Sequence, residues 1–186
     1  DFSLLYRVLH VSRMPEQMDQ GPDSVIEYYH QESMASGTRI REKLSEAVEV
    51  SIKTLANGFL LNRSNEDLTQ QFENDCLKAD DYYMYQLRLI YRVLFLIVLE
   101  ERQLIYPEEL DEECQRKRNI YYKYYSVERL RRLAESRVYV DGDKVDLWES
   151  LKTTFLLFEN GFYGEKLGIK PLGSGLFAPN ALGGLM

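Results

Sequence analysis

The sequence predicts an all-α fold, arranged as a single irregular helical bundle of five to seven helices with a glycine-rich C-terminal tail. Apolar residues recur at three-to-four spacing through most of the chain, which is typical of amphipathic helices. Alternating strand patterns are nearly absent, and capping residues precede several of the apolar stretches. The sequence has no internal repeat of roughly 20–50 residues, so it does not predict a solenoid or a propeller.

The first half of the chain contains three predicted helical stretches. Residues 2–6 have the composition of a helix interior. A helix over 38–60 has an apolar face and ends where Asn57-Gly58 supplies a left-handed stop. A short helix begins at 64–67, where Ser64 is a capping residue followed by acids. The apolar positions of the last two are Ile40, Leu44, Ala47, Val48, Ser51, Ile52, Leu55 and Phe59, then Leu68 and Phe72.

The most apolar helix is predicted over about 82–104 and is expected to be the central one. Asp80 or Asp81 caps it. Pro107 fits the first turn of the next, exposed helix, in which acids come early and bases late, as the helix dipole favours. The core-facing set of the central helix is predicted to be Tyr83, Leu87, Ile90, Tyr91, Leu94, Phe95 and Val98.

Two further helices are predicted after residue 125. Ser126 caps the first. A β-like run over 137–140 and a turn over 141–143 separate it from a final helix that ends at Asn160-Gly161. The apolar positions are Val127, Leu130, Leu133 and Ala134 in the first helix and Leu147, Trp148, Leu151, Phe155 and Phe158 in the second.

Length and composition fit one domain. The 186 residues, 45% hydrophobic and 28% charged, suffice for a core and exclude two large domains or a disordered chain. The net charge of -7 does not favour a protein that coats nucleic acid by charge alone. Seven of the eleven glycines fall in the last 26 positions. We therefore expect a helical domain over 1–161 and a glycine-rich tail or linker over 162–186 that leads to a missing downstream domain.

The cysteines and the apolar runs favour a cytoplasmic location. Cys76 and Cys114 lie 38 positions apart without a CxxC motif, so neither zinc nor redox chemistry is indicated. The longest apolar run, 93–99, has seven residues, whereas a membrane span needs about 20. We expect no membrane contact. The chain begins at Asp1 inside a helix-like stretch, as expected of a piece of a longer protein.

No catalytic, cofactor-binding or metal-binding residue is assigned. The turn at 173–177 resembles a cofactor loop only superficially, because no buried strand precedes it and no helix follows it. None of the nine lysines has an acid two positions earlier, so the restriction-nuclease signature is absent. His10 and His30 lie outside metal-ligand patterns, and the acidic run at 108–113 is typical of a solvated face.

Basic residues mixed with tyrosines offer the best candidate binding surface. Such mixtures can hold phosphates and stack on bases, although each cluster alone is more typical of a solvated helix rim. A further basic group begins the 38–60 helix at Arg39, Arg41 and Lys43. The candidate DNA-backbone contacts are Arg116, Lys117, Arg118, Lys123, Arg129 and Arg132, near tyrosines 121, 122, 124 and 125.

Several segments, in order, resemble a known family. The chain is similar to large bacterial restriction-modification enzymes, the adenine-specific DNA methyltransferases of type IIG-like and phage-defence systems. The last of these segments is similar to the family's Asn-Gly-Gly-Leu-Phe-Asp-Pro, with Ser174 and Ala178 in place of Gly and Asp. The resembling segments are SVIEYYHQES (24–33), GTRIREKL (37–44), LANGFL (55–60), LRLIYRVLFLIVLEER (87–102), YYSVERLR (124–131), DLWESL (146–151) and LGSGLFAP (172–179).

The resemblance implies a helical connector between an N-terminal nuclease or DNA-engaging part and the methyltransferase domain. The parent protein would use S-adenosylmethionine and bind DNA, with or without DNA cleavage. This piece by itself would carry no catalytic residue and bind no cofactor. Its partners would be the neighbouring nuclease and methyltransferase domains, and DNA through the parent. The alternative is a free-standing all-α protein-interaction module whose exposed aromatics dock a partner.

Overall fold

All regular secondary structure that the computed structural model describes is helical, which confirms the all-α prediction. The described residues are 2–14, 24–62, 65–109, 111–136, 145–159 and 161–185. Seven helices have eight residues or more: α1 (Phe2–Leu9), α2 (Val25–Leu61), α3 (Glu66–Glu73), α4 (Ala79–Glu101), α5 (Glu112–Tyr124), α6 (Val127–Glu135) and α7 (Asp146–Glu159). A single turn, α8 (Gly161–Gly164), and four short 3-10 turns complete the secondary structure of these residues.

The chain divides into two compact units, Asp1–Val50 and Ser51–Met186. None of the described residues of the first unit is buried. Ile40 and Leu44, predicted to face a core, are 63% and 51% exposed, so that part of the prediction is wrong. The predicted boundary after residue 161 falls inside the second unit, and a linker role for 162–186 stays a prediction.

Helix α2 is longer than predicted at both ends. The Ser24 hydroxyl accepts a hydrogen bond from the Glu27 backbone N–H at 3.1 Å and so caps the helix. The helix therefore begins at Val25, thirteen residues before the predicted start at residue 38. The predicted stop at Asn57-Gly58 is wrong, because the helix continues to Leu61. A β-carbon at Gly58 would meet nothing within 4 Å. Nothing in the packing therefore forces the backbone out of the helix at this glycine.

Helices α3 and α4 lie where the sequence places them. Leu68 of α3 is buried as predicted, while Ser64, its predicted cap, lies outside the described residues. Helix α4 begins at Ala79 with Lys78 as its N-cap residue. Asp80 and Asp81 therefore lie in the first turn rather than at the cap, where their charges still suit the helix dipole.

The predicted core face of α4 is largely wrong. Of the seven predicted residues only Ile90 is buried, while Tyr83, Tyr91, Phe95 and Val98 are 43–50% exposed. The buried face consists of Tyr82, Gln86, Leu89, Ile90, Arg92, Leu96 and Glu100. The prediction failed because it assigned polar side chains to solvent, whereas three of these seven are polar. Two are charged, and the third, Gln86, makes no hydrogen bond to the described residues.

The later helices agree with the sequence except for one start. Helix α5 begins after Asp111, whose carboxylate accepts from the Cys114 backbone N–H at 2.7 Å, so Pro107 is not in its first turn. Ser126 caps α6 as predicted, accepting from the Arg129 N–H at 3.2 Å. The predicted β-like run, the turn at 141–143 and Asn160 lie outside the described residues.

The glycine-rich segment after α7 contributes to the core of the second unit. Its apolar residues Ile169, Phe177, Ala181, Leu182 and Leu185 are buried. The Leu172 N–H donates to the carbonyl oxygen of Phe158 in α7 at 2.9 Å, which fixes the return of the chain. These residues follow no helical period, so their burial could not be predicted from a sequence pattern.

Candidate functional site

The candidate cations of α5 point in different directions. Consecutive helical residues are rotated by about 100°, so Arg116, Lys117 and Arg118 cannot share one face. Arg116 and Lys123 lie seven positions apart, which returns them to nearly the same outer face, and both are exposed. Lys117 and Arg118 lie on the two flanks of α5 and are half-buried.

The flanking cations of α5 already have partners. The Lys117 ammonium forms an ion pair with Glu113 at 2.6 Å, and this contact raises the pKa of Lys117. Arg118 donates to the Gln103 side-chain oxygen at 2.9 Å and lies 5.8 Å from the ring centre of Tyr122. These two side chains therefore stiffen the edges of α5 rather than extending into solvent.

The cations of α6 are partly neutralised by one acid. Glu128 pairs with Arg131 at 3.0 Å and with Arg132 at 3.9 Å. Arg129 is half-buried and forms no ion pair with another of the described residues. Arg116, Lys123 and Arg129 thus form the remaining cation set of α5 and α6, which we call the α5–α6 cation set.

The tyrosines beside these cations are mostly structural. Tyr121 is fully buried and Tyr122 and Tyr125 are half-buried. Tyr124 is 52% exposed, and the Lys123 ammonium lies 5.1 Å from the centre of its ring. Of the four tyrosines, only Tyr124 presents enough of its ring to stack on a base.

The fully buried guanidinium of Arg92 joins three parts of the second unit. Its Nε donates to the Leu176 carbonyl at 2.7 Å and one terminal nitrogen donates to the Ala178 carbonyl at 2.8 Å. The other terminal nitrogen forms an ion pair with Glu159 at the end of α7. The guanidinium carbon also lies 5.3 Å and 5.2 Å from the ring centres of Phe155 and Phe177. The turn at 173–177 is thus held by Arg92 as a structural element.

A second buried charge, Glu100, holds the start of α6. Its carboxylate accepts from the N–H groups of Val127 and Glu128 at 2.7 and 2.9 Å. It also accepts from the hydroxyl of Tyr121 at 2.7 Å. Burial first, then the Glu100 charge, raises the pKa of Tyr121 far above its ordinary value. Glu100 therefore supplies from α4 the negative charge that a helix N-terminus favours.

Several clefts lie among the described residues of the second unit, and two of them border aromatic or buried charged side chains. One, of about 240 Å³, is open and is lined by Gly58, Phe59 and Trp148 among others. The rings of Phe59 and Trp148 meet edge to face, with 4.9 Å between their centres. The other, of about 260 Å³, is lined by Glu100, Glu101, Glu128 and Arg131 among others. The carboxylates of Glu100 and Glu128 in this second cleft are already engaged in hydrogen bonds or ion pairs.

The histidines, cysteines and acids of the described residues do not build a metal site. Within them, no group of three or more His, Cys, Asp or Glu could hold a metal ion. Both cysteines are free, and a hydrogen bond to Asp111 raises the pKa of Cys114, which keeps that thiol protonated. His10 accepts from the Ser12 N–H at 3.2 Å and caps a 3-10 turn. These side chains have local structural roles.

Among the described residues, helix α4 is long and apolar enough to cross a membrane by length and composition alone, since an 18-residue stretch of its 23 residues has a mean hydropathy of 1.3. Because its buried face carries Arg92 and Glu100, and because core helices share these properties, this is weak evidence for a membrane.

No protein-family model, curated protein or solved structure matches the chain.

Proposed function

We propose that this chain is a helical connector of a bacterial restriction-modification DNA methyltransferase. It would position the neighbouring nuclease and methyltransferase domains and contact the DNA backbone, without catalysing a reaction alone. The parent protein would be cytoplasmic and would use S-adenosylmethionine. The proposal starts from the ordered segments that resemble this enzyme family.

One observation carries the proposal: three of the resembling segments meet at buried charges. Arg92, in segment 87–102, donates to the carbonyl oxygens of Leu176 and Ala178, in segment 172–179. Glu100, in the same helix, accepts from the backbone of Val127 and Glu128, in segment 124–131. The segments are far apart in sequence and are joined by polar contacts in the core.

These contacts explain why such segments would recur without being catalytic. Burying a charge is costly unless it is paired and hydrogen-bonded, so Arg92 and Glu100 each require several partners at once. A sequence that keeps the charge must keep the loop or the helix start that satisfies it. The resembling segments thus suit a rigid scaffold, and the Ser174 and Ala178 departures leave intact the backbone carbonyls that Arg92 uses.

DNA contact is proposed for the α5–α6 cation set. Phosphate contacts supply sequence-independent affinity that falls steeply with salt. We expect weak duplex binding at low salt. Changing Arg116 and Lys123 together to glutamine should weaken binding and reduce the slope of log K against log salt by roughly two, because each phosphate contact contributes about one. A gel-shift or anisotropy titration at several salt concentrations measures both quantities.

The matched control is Lys78→Gln with Lys170→Gln, which removes the same charge from exposed positions outside α5 and α6. It should leave the salt slope near that of the wild type. Equal losses in the two double variants would assign binding to net charge alone. Absence of any complex at low salt would refute DNA contact by this chain, and tight S-adenosylmethionine binding in calorimetry would refute its non-catalytic role.

The wider gene provides an independent test of the connector. A downstream Asn-Pro-Pro-aromatic motif and a glycine-rich S-adenosylmethionine turn in the same reading frame are expected. A stop codon soon after Met186 would instead favour the second candidate, a free-standing protein-interaction module. The exposed apolar residues of α1 favour that second candidate, since Phe2, Leu4 and Tyr6 are each more than half exposed.

A further inference from the structure

Helix α4 carries an exposed apolar stripe with coiled-coil spacing. Met84, Leu87, Tyr91, Leu94 and Val98 follow one another at intervals of three, four, three and four residues. This is the a/d pattern of a heptad repeat, which forms the seam between two packed helices. We call these five residues the α4 seam.

The seam lies on the face of α4 opposite the core. Leu89 and Leu96 of the opposite face are 1% and 0% exposed, whereas Met84, Tyr91 and Val98 are 40%, 50% and 47% exposed. Leu87 and Leu94 are half-buried. Phe95, beside the seam, is also 43% exposed. Helix α4 therefore buries one side in the core and leaves three of the five seam residues exposed.

We propose that the α4 seam is a self-association surface on which a second copy of this chain packs its own α4 in the antiparallel direction. The charges at the two ends of the seam favour a second copy of this chain as the partner. Asp80 and Arg102, both exposed, lie eleven residues before and eleven residues after Tyr91. A two-fold axis at Tyr91 brings Asp80 of each copy opposite Arg102 of the other.

The same two-fold axis matches the apolar positions. Met84 faces Val98 of the other copy, Leu87 faces the Leu94–Phe95 pair, and Tyr91 meets Tyr91. A parallel pair would instead place Asp80 against Asp80 and Arg102 against Arg102, which is unfavourable. Charge complementarity at both ends of the seam therefore favours the antiparallel arrangement.

The seam predicts a weak dimer rather than an obligate one. From Met84 to Val98 it extends over about 21 Å at 1.5 Å per residue. An interface of one helix against one helix falls below the standard size of about 1,600 Å², which is typical of transient association. We therefore expect a monomer–dimer equilibrium at micromolar concentrations, independent of DNA.

Sedimentation velocity over a hundredfold range of protein concentration tests the proposal. The weight-average mass should rise from monomer towards dimer. Tyr91→Glu places two like charges on the two-fold axis and should weaken dimerisation at least tenfold. Tyr124→Glu, at a residue of equal exposure on α5, is the matched control and should leave dimerisation unchanged. Circular dichroism checks that both variants remain helical.

Charge reversal at the ends tests the direction of packing without altering the apolar seam. D80R and R102D should each weaken the dimer severalfold, and the double variant D80R/R102D should restore it because both pairs are re-formed with reversed signs. In a parallel pair, neither single change would weaken association and the double variant would restore nothing.

Three results would overturn the proposal. The chain could remain monomeric at all concentrations, or Tyr91→Glu could leave a dimer unchanged, which would assign association to another surface. Alternatively, the chain could stay monomeric and bind zwitterionic vesicles in a manner that Tyr91→Glu abolishes, which would make the seam a lipid-binding face. Neither DNA affinity nor its salt slope enters these measurements, so this proposal and the proposed function can fail separately.

Discussion

Arg92 illustrates at the scale of one residue how a charge can become part of a core. Its guanidinium donates from each of its three nitrogens, to the carbonyl oxygens of Leu176 and Ala178 and to the Glu159 carboxylate, and it lies beside two aromatic rings. The free energy gained from these contacts offsets the cost of removing the guanidinium from water, but it need not be larger than that cost. The stability of the pair therefore depends on keeping both partners.

Arg92→Met is expected to lower the free energy of unfolding by about 3–5 kcal/mol, because it leaves the Glu159 carboxylate buried without a counter-charge. Replacing both residues, as R92M/E159M, should cost less than Arg92→Met alone. Urea unfolding of the four proteins of the double-mutant cycle measures this difference. Arg131→Met, which breaks an exposed pair with Glu128, is the control and should change stability little. A double variant less stable than R92M would contradict the explanation.

At the scale of single residues, prediction from sequence was right at the Ser126 cap, wrong at the Asp80 or Asp81 cap, and failed at the buried charges. Ser126 was predicted as a cap because its hydroxyl precedes an apolar helix, and it is one. The pattern Ser24-x-x-Glu27 carries the same kind of signal for the start of α2, where the Ser24 hydroxyl accepts from the Glu27 N–H. Arg92 and Glu100 could not be assigned, because their partners lie in loops or at a helix start that only the tertiary structure brings near.

At the scale of elements, Gly58 and Gly164 illustrate two different consequences of a glycine. Gly58 lies within α2, and a β-carbon there would have open space around it. Gly164 is buried at the end of α8, where a β-carbon would collide with the carbonyl oxygens of Leu157 and Ile169. The first glycine only weakens a helix, whereas the second permits two backbone segments to approach each other.

Gly58→Ala is therefore expected to stabilise the second unit by about 0.5–1 kcal/mol, because alanine restricts the unfolded chain and favours the helix. Gly164→Ala should destabilise it by at least about 2 kcal/mol, since backbone atoms must move. Urea denaturation followed by circular dichroism compares the two. Equal effects of the two substitutions would show that the approach at Gly164 is not tight.

For the whole molecule, the helical class followed from periodicity, but the division of the chain did not. Periodicity identifies a helix with an apolar stripe without showing whether that stripe meets a core, a second copy or solvent. The predicted stripe on α2 is buried at Ile52 yet exposed at Ile40. Similarly, the sequence predicts a tail or linker over the glycine-rich segment, although Phe177 and Leu182 of that segment lie in the core. Contacts without a regular period have no counterpart in a sequence pattern.

Three buried or half-buried tyrosines predict how the stability of the second unit responds to alkali. Burial, as the largest cause, raises the pKa of Tyr106, Tyr121 and Tyr122 above the ordinary value of 10.0. Below pH 10 both states hold these protons and the folded state keeps its full stability. Above pH 10 the unfolded chain loses protons that the folded chain retains, so stability falls as pH rises.

We therefore expect the free energy of unfolding to decline steeply above about pH 10, with each retained proton contributing about 1.4 kcal/mol per pH unit. Tyr121→Phe removes the hydroxyl that donates to Glu100, so it should be less stable than the wild type near neutral pH but lose stability more gradually in alkali. Urea midpoints from about pH 8 to about pH 11 measure both slopes. Tyr124→Phe, at an exposed ring, should follow the wild-type slope. If Tyr121→Phe and the wild type declined in parallel, the protonated Tyr121 phenol would not be a source of the alkaline instability.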